Sequence, residues 1–206
     1  MNVSNSDISD LNWSPSEVSK FNDAVIDYPG CVLTPPFDYY AIYNLVKSLP
    51  QNSIIIDIGT AWGGTTRFMS EFSPQAKIVT CDPYLDAGWT DYWSDRFNRE
   101  YSYTATRDYL KDLNNVELLH GKSPELFTSW SVEIDMVFED GSHMYQPLKE
   151  NLEFWNKFLK PGGIFAGHDY NENFPDVVRA ITEFRENYFP TSKLYVVGNV
   201  WFFYKI

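Results

Sequence analysis

Positive charge is what this chain is short of. Its 206 residues hold 16 Lys and Arg against 28 Asp and Glu, a formal net charge of −12. A nucleic-acid backbone or an anionic membrane surface needs a cationic patch to hold it, so neither is expected as the main partner. Cysteine is nearly absent. Cys31 and Cys81 stand far apart, which supports neither a disulfide framework nor a zinc cluster. Cys81 lies in an apolar run, where a small buried thiol is the ordinary reading. No apolar run approaches membrane-spanning length. The opening from Met1 to Asp7 is polar and lacks a basic segment leading into an apolar one, so no signal peptide is expected and the cytoplasm is the expected location. What the chain has is 44% hydrophobic and 17% aromatic residues, enough to pack one domain around a core.

The most informative stretch runs from Ile54 to Thr66. Ile54, Ile55, Ile56, Asp57 and Ile58 form an almost unbroken β-branched run, as in a strand buried on both faces of a parallel sheet. Gly59, Thr60, Ala61, Trp62, Gly63 and Gly64 make a glycine-rich turn, and Thr65 to Met69 read as the first turn of a helix. Glycine lets backbone pass close to a ligand, and the free N–H groups of a helix start favour an anionic group. Strand, turn and helix outline a cofactor cradle.

Around this cradle the chain alternates. Residues 1–36 form an extension, loose in its first twenty positions, with a short helix expected over Phe21–Tyr28. One domain follows over 37–206. Helical spacing from Phe37 to Leu49 leads into the first strand, and the cradle helix runs to Phe72. Further strands are expected over Lys77–Asp82, Val116–His120, Ile134–Asp140 and Ile164–Gly167. Helices are expected over Thr106–Leu113, Pro124–Trp130, Gln146–Phe158 and Asp176–Tyr188. Lys160–Gly163 reads as a sharp stop, and Lys193–Val197 with Val200–Lys205 as a hairpin about Gly198 and Asn199. Residues 83–107 carry Tyr84, Trp89, Tyr92, Trp93, Phe97, Tyr101 and Tyr103 and read as an ordered insert with helical parts. Its aromatics could floor a substrate pocket, join two copies of the chain, or pack locally. The expected fold is α/β: a doubly wound, mainly parallel seven-stranded sheet with an antiparallel C-terminal hairpin and helices on both faces.

In such sheets ligands sit beyond the carboxyl ends of the strands. Asp57 and Gly59, Asp82, Ser123, Asp140 and His143, and Asp169 all fall at or just past those ends. A dinucleotide fingerprint would read G-x-G-x-x-G. Here Asp57 and Gly59 are followed by Gly63 and Gly64, with an extra residue between the glycines and an acid inside the strand, a spacing that disfavours both the dinucleotide and the P-loop patterns. An acid beside the cradle suits a ligand with a positive amino group. Asp82, closing the next strand, suits the two hydroxyls of a ribose, because a carboxylate can accept from both.

With these residues in place, the chain resembles the Rossmann-like, class I S-adenosylmethionine-dependent methyltransferases from about residue 37 to the C-terminus. The run Asp57 to Gly64 looks like their first motif, and Asp82, Pro83 and Tyr84 look like the ribose acid and the residues flanking the adenine. Leu159 to Gly163 looks like the turn before their fifth strand, and the final hairpin like the antiparallel strand that marks the class. Phe138 to His143, followed by Gly167, His168 and Asp169, is similar to the small metal-dependent O-methyltransferases, nearest in pattern to enzymes methylating macrolide sugars and to the cephalosporin-hydroxylase-like group. In those families the Asp at the exit of the fourth strand and the Asp of the fifth hold a divalent ion, and the His of the following loop is the base. The resemblance implies these roles for Asp140, Asp169 and His143. It implies S-adenosylmethionine and a divalent metal such as Mg²⁺ as cofactors, and a small hydroxylated metabolite or sugar as acceptor. Asp57, Gly59, Thr60, Gly63, Gly64, Thr65, Asp82, Pro83, Tyr84, Ser123 and Asp140 are the cofactor contacts it implies. The macrolide enzymes place an acid directly before the second metal Asp, where this chain has His168; catechol-type enzymes place an amide after it, where this chain has Tyr170. A hydroxylase-like relative, or a binder of adenosyl ligands without turnover, would share the fold.

The residues fit that chemistry. An attacking alcohol must lose its proton, and a Mg²⁺-like ion lowers the pKa of a bound hydroxyl. Asp140 and Asp169 are the hard oxygen ligands such an ion prefers, and His143 has the pKa of a base working near neutrality. Taken singly, Asp140 and Asp169 are as well explained as turn or cap residues. His168 reads either as a third metal ligand or as a hydrogen-bonded structural histidine, and His120 as structural. Ser123 reads either as an adenine contact or as the cap of the turn after it.

Overall fold

The computed structural model describes residues 36–85 and 90–206. The expectations for the N-terminal extension up to residue 35, and for 86–89 of the aromatic insert, lie outside the described residues. The elements run α1 (Pro36–Ser48), β1 (Ile54–Ile58), α2 (Gly64–Phe72), β2 (Lys77–Asp82), α3 (Thr90–Phe97), α4 (Tyr103–Leu110), β3 (Val116–His120), a 3₁₀ turn (Glu125–Phe127), β4 (Ile134–Glu139), α5 (Tyr145–Trp155), β5 (Leu159–Gly167), α6 (Pro175–Tyr188), β6 (Tyr195–Val197) and β7 (Val200–Tyr204). One seven-stranded sheet has the order β3-β2-β1-β4-β5-β7-β6. Its first five strands pair in parallel and β7 pairs antiparallel with both β5 and β6.

Strand alternation builds two cores from the same strands. Ile55, Ile78, Met136, Phe138, Ile164, Ala166, Val200 and Phe202 face a layer holding α1 and α2. Their neighbours Ile56, Val79, Val137, Phe165, Trp201 and Phe203 face the layer of α5 and α6. Successive side chains of a strand point to opposite faces, so a run that is apolar at every position buries both. Among the described residues no helix is long and apolar enough to cross a membrane.

Two local expectations are corrected. Lys160–Gly163 is not a turn ahead of a strand but the first half of β5. The register shifts between Ile134 and Met136, which absorbs the extra residues as a bulge. Gly162 N–H donates to the Lys205 carbonyl at 2.7 Å, and Lys205 N–H returns the bond to Gly163 at 2.9 Å, so the edge past β7 satisfies a segment whose composition reads as loop. The helix expected over Pro124–Trp130 is only the 3₁₀ turn Glu125–Phe127.

Trp201 ties the fold to the rim where the candidate residues gather. It is fully buried, stacks on Phe203 with ring centroids 6.0 Å apart, and its Nε1 donates to the His168 carbonyl at 3.2 Å. Trp201→Ala is expected to lower the unfolding free energy by about 3–5 kcal/mol, read by urea melts, whereas Trp201→Phe keeps most of the packing and loses far less.

Candidate functional site

The sheet order reverses between β1 and β4, and the loops leaving these two strands run side by side. Asp140 N–H donates to the Ile58 carbonyl at 2.8 Å. Gly59 has φ +99°, and a Cβ there would lie 2.6 Å from the Asp140 carbonyl carbon and 2.8 Å from Gly141 Cα. Only glycine permits this backbone angle and this approach together. The cradle after β1 and the acid after β4 therefore share a wall.

On the cradle side, Asp57 is 1% exposed. Its Oδ2 accepts from the Thr66 hydroxyl at 2.6 Å and the Thr80 hydroxyl at 2.9 Å. Thr80 and Thr60 hydroxyls lie 2.6 Å apart. Asp57 thus fastens β1, β2 and the first turn of α2 to one another. Gly63 precedes α2 in the left-handed conformation, φ 84°, and Gly64, Thr65 and Thr66 open the helix, where N–H groups have no partner within the helix. Asp82, at the end of β2 and 5% exposed, accepts from Ala61 N–H at 3.0 Å, Tyr84 N–H at 2.7 Å and the Tyr101 hydroxyl at 2.9 Å. Pro83 and Tyr84 turn the chain beside it, the Pro83 carbonyl 3.3 Å from His120 Nε2. The Thr106 hydroxyl donates to the Ala61 carbonyl at 2.8 Å. The described part of the aromatic insert packs back on the rim: Phe97 and Tyr101 meet Trp62 of the glycine turn at ring-centroid distances of 5.4 and 4.9 Å, and Tyr103 stacks on His120 of β3 at 5.0 Å. Ser123 stands past the end of β3, where its backbone N–H meets the Cys81 thiol beside Asp82. Its hydroxyl accepts from Trp155 Nε1 at 3.0 Å, and no side-chain cap bond forms at the following turn.

On the other side of the shared wall, Asp140, His168 and Asp169 offer ligand atoms all within 4.8 Å of one another. Asp169 has φ 62°, a left-handed turn that Asp tolerates better than most residues. It follows His168 just past the end of β5, and its two oxygens serve two imidazoles: Oδ2 lies 2.7 Å from His143 Nε2 and Oδ1 lies 3.1 Å from His168 Nδ1. His168 Nδ1 is 3.8 Å from Asp140 Oδ1, and its Nε2 is 2.9 Å from Asp38 Oδ2. His143 also packs on Phe174, ring centroids 4.2 Å apart.

The protonation pattern follows from this crowding. Burial pushes Asp140 up to about 7 and Glu139, one residue earlier, up to about 8, because ionised carboxylates lose hydration there. Burial works against Asp169 as well, yet hydrogen bonds from His143 and His168 hold it well below the carboxylate range. Burial alone would lower His168, but Asp169 and Asp38 on its two sides push it up to about 10. The bond to Asp169 likewise raises His143.

Sequence reading missed four of these partners. Tyr101 on Asp82, and Thr66 and Thr80 on Asp57, are ordinary residues at ordinary spacing, and only the fold brings them in. Asp38 is an acid in the first turn of a helix, where the helix dipole is explanation enough; nothing in its neighbourhood points to His168.

The fold and this rim define a Rossmann-like protein of the class I S-adenosylmethionine-dependent methyltransferase architecture. A family profile described as a methyltransferase domain matches residues 56–170, more than half of the chain, and the protein belongs to that family. The chain is similar to an uncharacterized protein of Acanthamoeba polyphaga mimivirus, 20% identical over 167 residues that cover 78% of this chain and 74% of that one. Among solved structures it is similar in fold to the O-methyltransferase NovP, with TM-score 0.65, 14% identity, and coverage of 97% of this chain and 99% of that one. It is also similar to a putative methyltransferase from Streptococcus mutans in complex with SAH, with TM-score 0.59, 16% identity, and coverage of 85% and 100%.

Asp57 gives this site a pH signature. Burial raises its pKa from 3.8 to about 6, so the folded state binds that proton more tightly than the unfolded chain does. The stability on its account is complete below about pH 4 and is lost as pH rises through about 6, roughly 3 kcal/mol in all. Asp57→Asn keeps an acceptor for the threonine hydroxyls and removes the titration. In urea melts across pH 4–7, the variant is expected to lose less stability over this window than the wild type does.

Proposed function

We propose that the protein transfers a methyl group from S-adenosylmethionine to a hydroxyl of a small metabolite or sugar, with a divalent metal assisting and His143 as the general base. The observation that carries this reading is the convergence on one rim of two sets of groups. Asp82 and the glycine turn form one, and Asp140, His168, Asp169 and His143 form the other, joined at the contact between Gly59 and Asp140. The net charge of −12 supports a small acceptor over a nucleic acid.

The donor sets suit the two groups they would hold. An acid closing β2 suits ribose hydroxyls, and the N–H groups opening α2, which have no partner within the helix, suit with the left-handed Gly63 a close-lying polar ligand. Asp140, Asp169 and the Nδ1 of His168 are a carboxylate and imidazole set of the kind that binds divalent ions. S-adenosylmethionine, when bound, supplies the methyl group and departs as a neutral thioether. A divalent ion, when bound, stabilises negative charge developing on the acceptor oxygen.

The chain's own work is placement and proton removal. Holding acceptor and donor in near-attack geometry can remove ~7–11 kcal/mol of barrier. A carboxylate only accepts, so His143 Nε2, at 2.7 Å from Asp169 Oδ2, donates to it. That leaves Nδ1 to take the acceptor's proton, with Asp169 orienting the ring and stabilising its charged form, in the way an acid supports a catalytic histidine.

Calorimetric titration of S-adenosylmethionine and its demethylated product, with and without chelator, separates the readings. Tight product binding together with methyl transfer that chelation abolishes is the expected result. Product binding without transfer to any of a panel of hydroxylated metabolites leaves a non-catalytic binder, and binding of neither ligand removes both readings. Asp140→Asn is expected to abolish turnover while product affinity stays within about threefold of wild type. An equal loss of both would place Asp140 in the cofactor site instead. His143→Gln is expected to lower kcat by about 10²–10⁴, with metal and cofactor still bound.

A further inference from the structure

Asp38 is the buried acid that the proposed reaction leaves unused. It comes from the first turn of α1, 130 residues before His168, and is 1% exposed. Its oxygens face three nitrogens: His168 Nε2 at 2.9 Å and Asn199 Nδ2 at 3.0 Å on Oδ2, and the Asn199 backbone N–H at 2.9 Å on Oδ1. A carboxylate has no hydrogen to give, so His168 carries a proton on Nε2 toward Asp38 and a second on Nδ1 while only Asp169 faces it. A cation bound at Nδ1 would release that second proton to solvent and leave the first in place. The backbone that carries the ring is fixed as well, since the His168 carbonyl accepts from Trp201 Nε1. With one nitrogen pinned toward α1, the other has a single direction left. Nδ1 faces Asp169 Oδ1 at 3.1 Å and Asp140 Oδ1 at 3.8 Å.

We propose that Asp38 is a positioning residue of the metal site, fixing His168 so that Nδ1 becomes the third protein ligand beside Asp140 and Asp169, and that this mixed nitrogen and oxygen set takes Mn²⁺ or Co²⁺ in preference to Mg²⁺. The inference rests on the metal-assisted reading above. Mg²⁺ favours shells of carboxylate and water oxygens and dehydrates reluctantly. An imidazole ligand moves preference toward transition metals, along the order Mn²⁺ < Co²⁺. A carboxylate on the far nitrogen of a ligating histidine fixes its tautomer and raises its basicity, and losing such a partner typically costs about 10–100-fold in metal affinity.

The test uses the full chain freed of metal by chelation. Mn²⁺ is titrated by the loss of the free-ion EPR signal, with Mg²⁺ and Co²⁺ measured by competition, and nitrogen ligation is read as ¹⁴N modulation of the Mn²⁺ spin echo. The expected result is affinity rising from Mg²⁺ through Mn²⁺ to Co²⁺, with ¹⁴N modulation that His168→Gln removes and His143→Gln retains. Asp38→Asn should weaken Mn²⁺ by about 10–100-fold. Asn199→Ala, which removes a different partner of the same carboxylate, should change it by less than about threefold. Saturable Mn²⁺ binding without His168-dependent modulation, with no preference over Mg²⁺, or with Asp38→Asn and Asn199→Ala equally weakened, overturns this proposal and leaves the metal-assisted reading standing. No saturable binding of any of the three ions overturns both. If Asp38→Asn does not fold, the His168→Gln spectrum and the wild-type ion preference decide the matter.

Discussion

The closeness of two strand exits is the constraint on which the rest depends. β1 and β4 lie side by side at the point where the sheet order reverses, and the backbone after each touches the other at Gly59 and Asp140. Parallel strands released at the same level leave a crevice at such a reversal. Here the crevice is divided by that contact into a half floored by Asp57 and Asp82 and a half floored by Asp140 and Asp169. A methyl donor held in one half and an acceptor held in the other would have to meet at the open rim above that contact, because transfer needs the reacting atoms about 3–3.5 Å apart. Gly59 is therefore more than a turn residue: its missing side chain sets the distance between the two halves.

The rim carries a second constraint, in its charge. Asp57, Asp82, Glu139, Asp140 and Asp169 crowd the strand ends of a molecule that is already acidic. The protein offsets them by three different means. Hydroxyls from Thr66 and Thr80 serve Asp57, and backbone N–H groups with Tyr101 serve Asp82. Asp169 takes two imidazoles. Glu139 accepts from the Gly141 N–H at 3.3 Å, yet burial outweighs that bond and favours its protonated form, and burial likewise raises Asp140 to about 7 against the pull of His168. Of these groups Asp140 alone is both raised by burial and turned toward the histidine and aspartate cluster, the position where a cation would relieve the cost.

Much of this was legible in the sequence because parallel strands advertise themselves. Ile54 to Ile58 is apolar at every position but Asp57, and Met136, Val137 and Phe138 are apolar in succession, which a strand covered on both faces requires, and the polar residues that follow mark the strand exits. Lys160 to Gly163 misled for the opposite reason. Its Pro and glycines obey local turn preference, but pairing with Lys205 and a bulge against β4 satisfy the backbone as strand. A tertiary contact decided the conformation there. The site divides the same way. Asp57, Asp82, Asp140 and Asp169 could be read because strand ends predict where their side chains converge. Tyr101 and Asp38 could not, because the insert and α1 reach the rim through packing that no local pattern encodes.

That difference bears on the residue where this chain departs from the pattern it resembles. Where the macrolide-sugar enzymes place an acid before the second metal Asp, His168 supplies a nitrogen whose direction must be set from outside, since an imidazole turned over would offer its other edge to the rim. An acid needs no such help, because both its oxygens are acceptors and rotation exchanges like for like. Substituting histidine at this position therefore calls for a second residue to choose between the two ring nitrogens. Asp38, reaching His168 Nε2 from α1, stands where such a choice would be made, and the turn at Asn199 holds Asp38 in turn. On the proposed reading, the packing of α1 against β6 and β7 would bear on the chemistry at the far end of β5: loosening the helix would free the ring before it disturbed either aspartate.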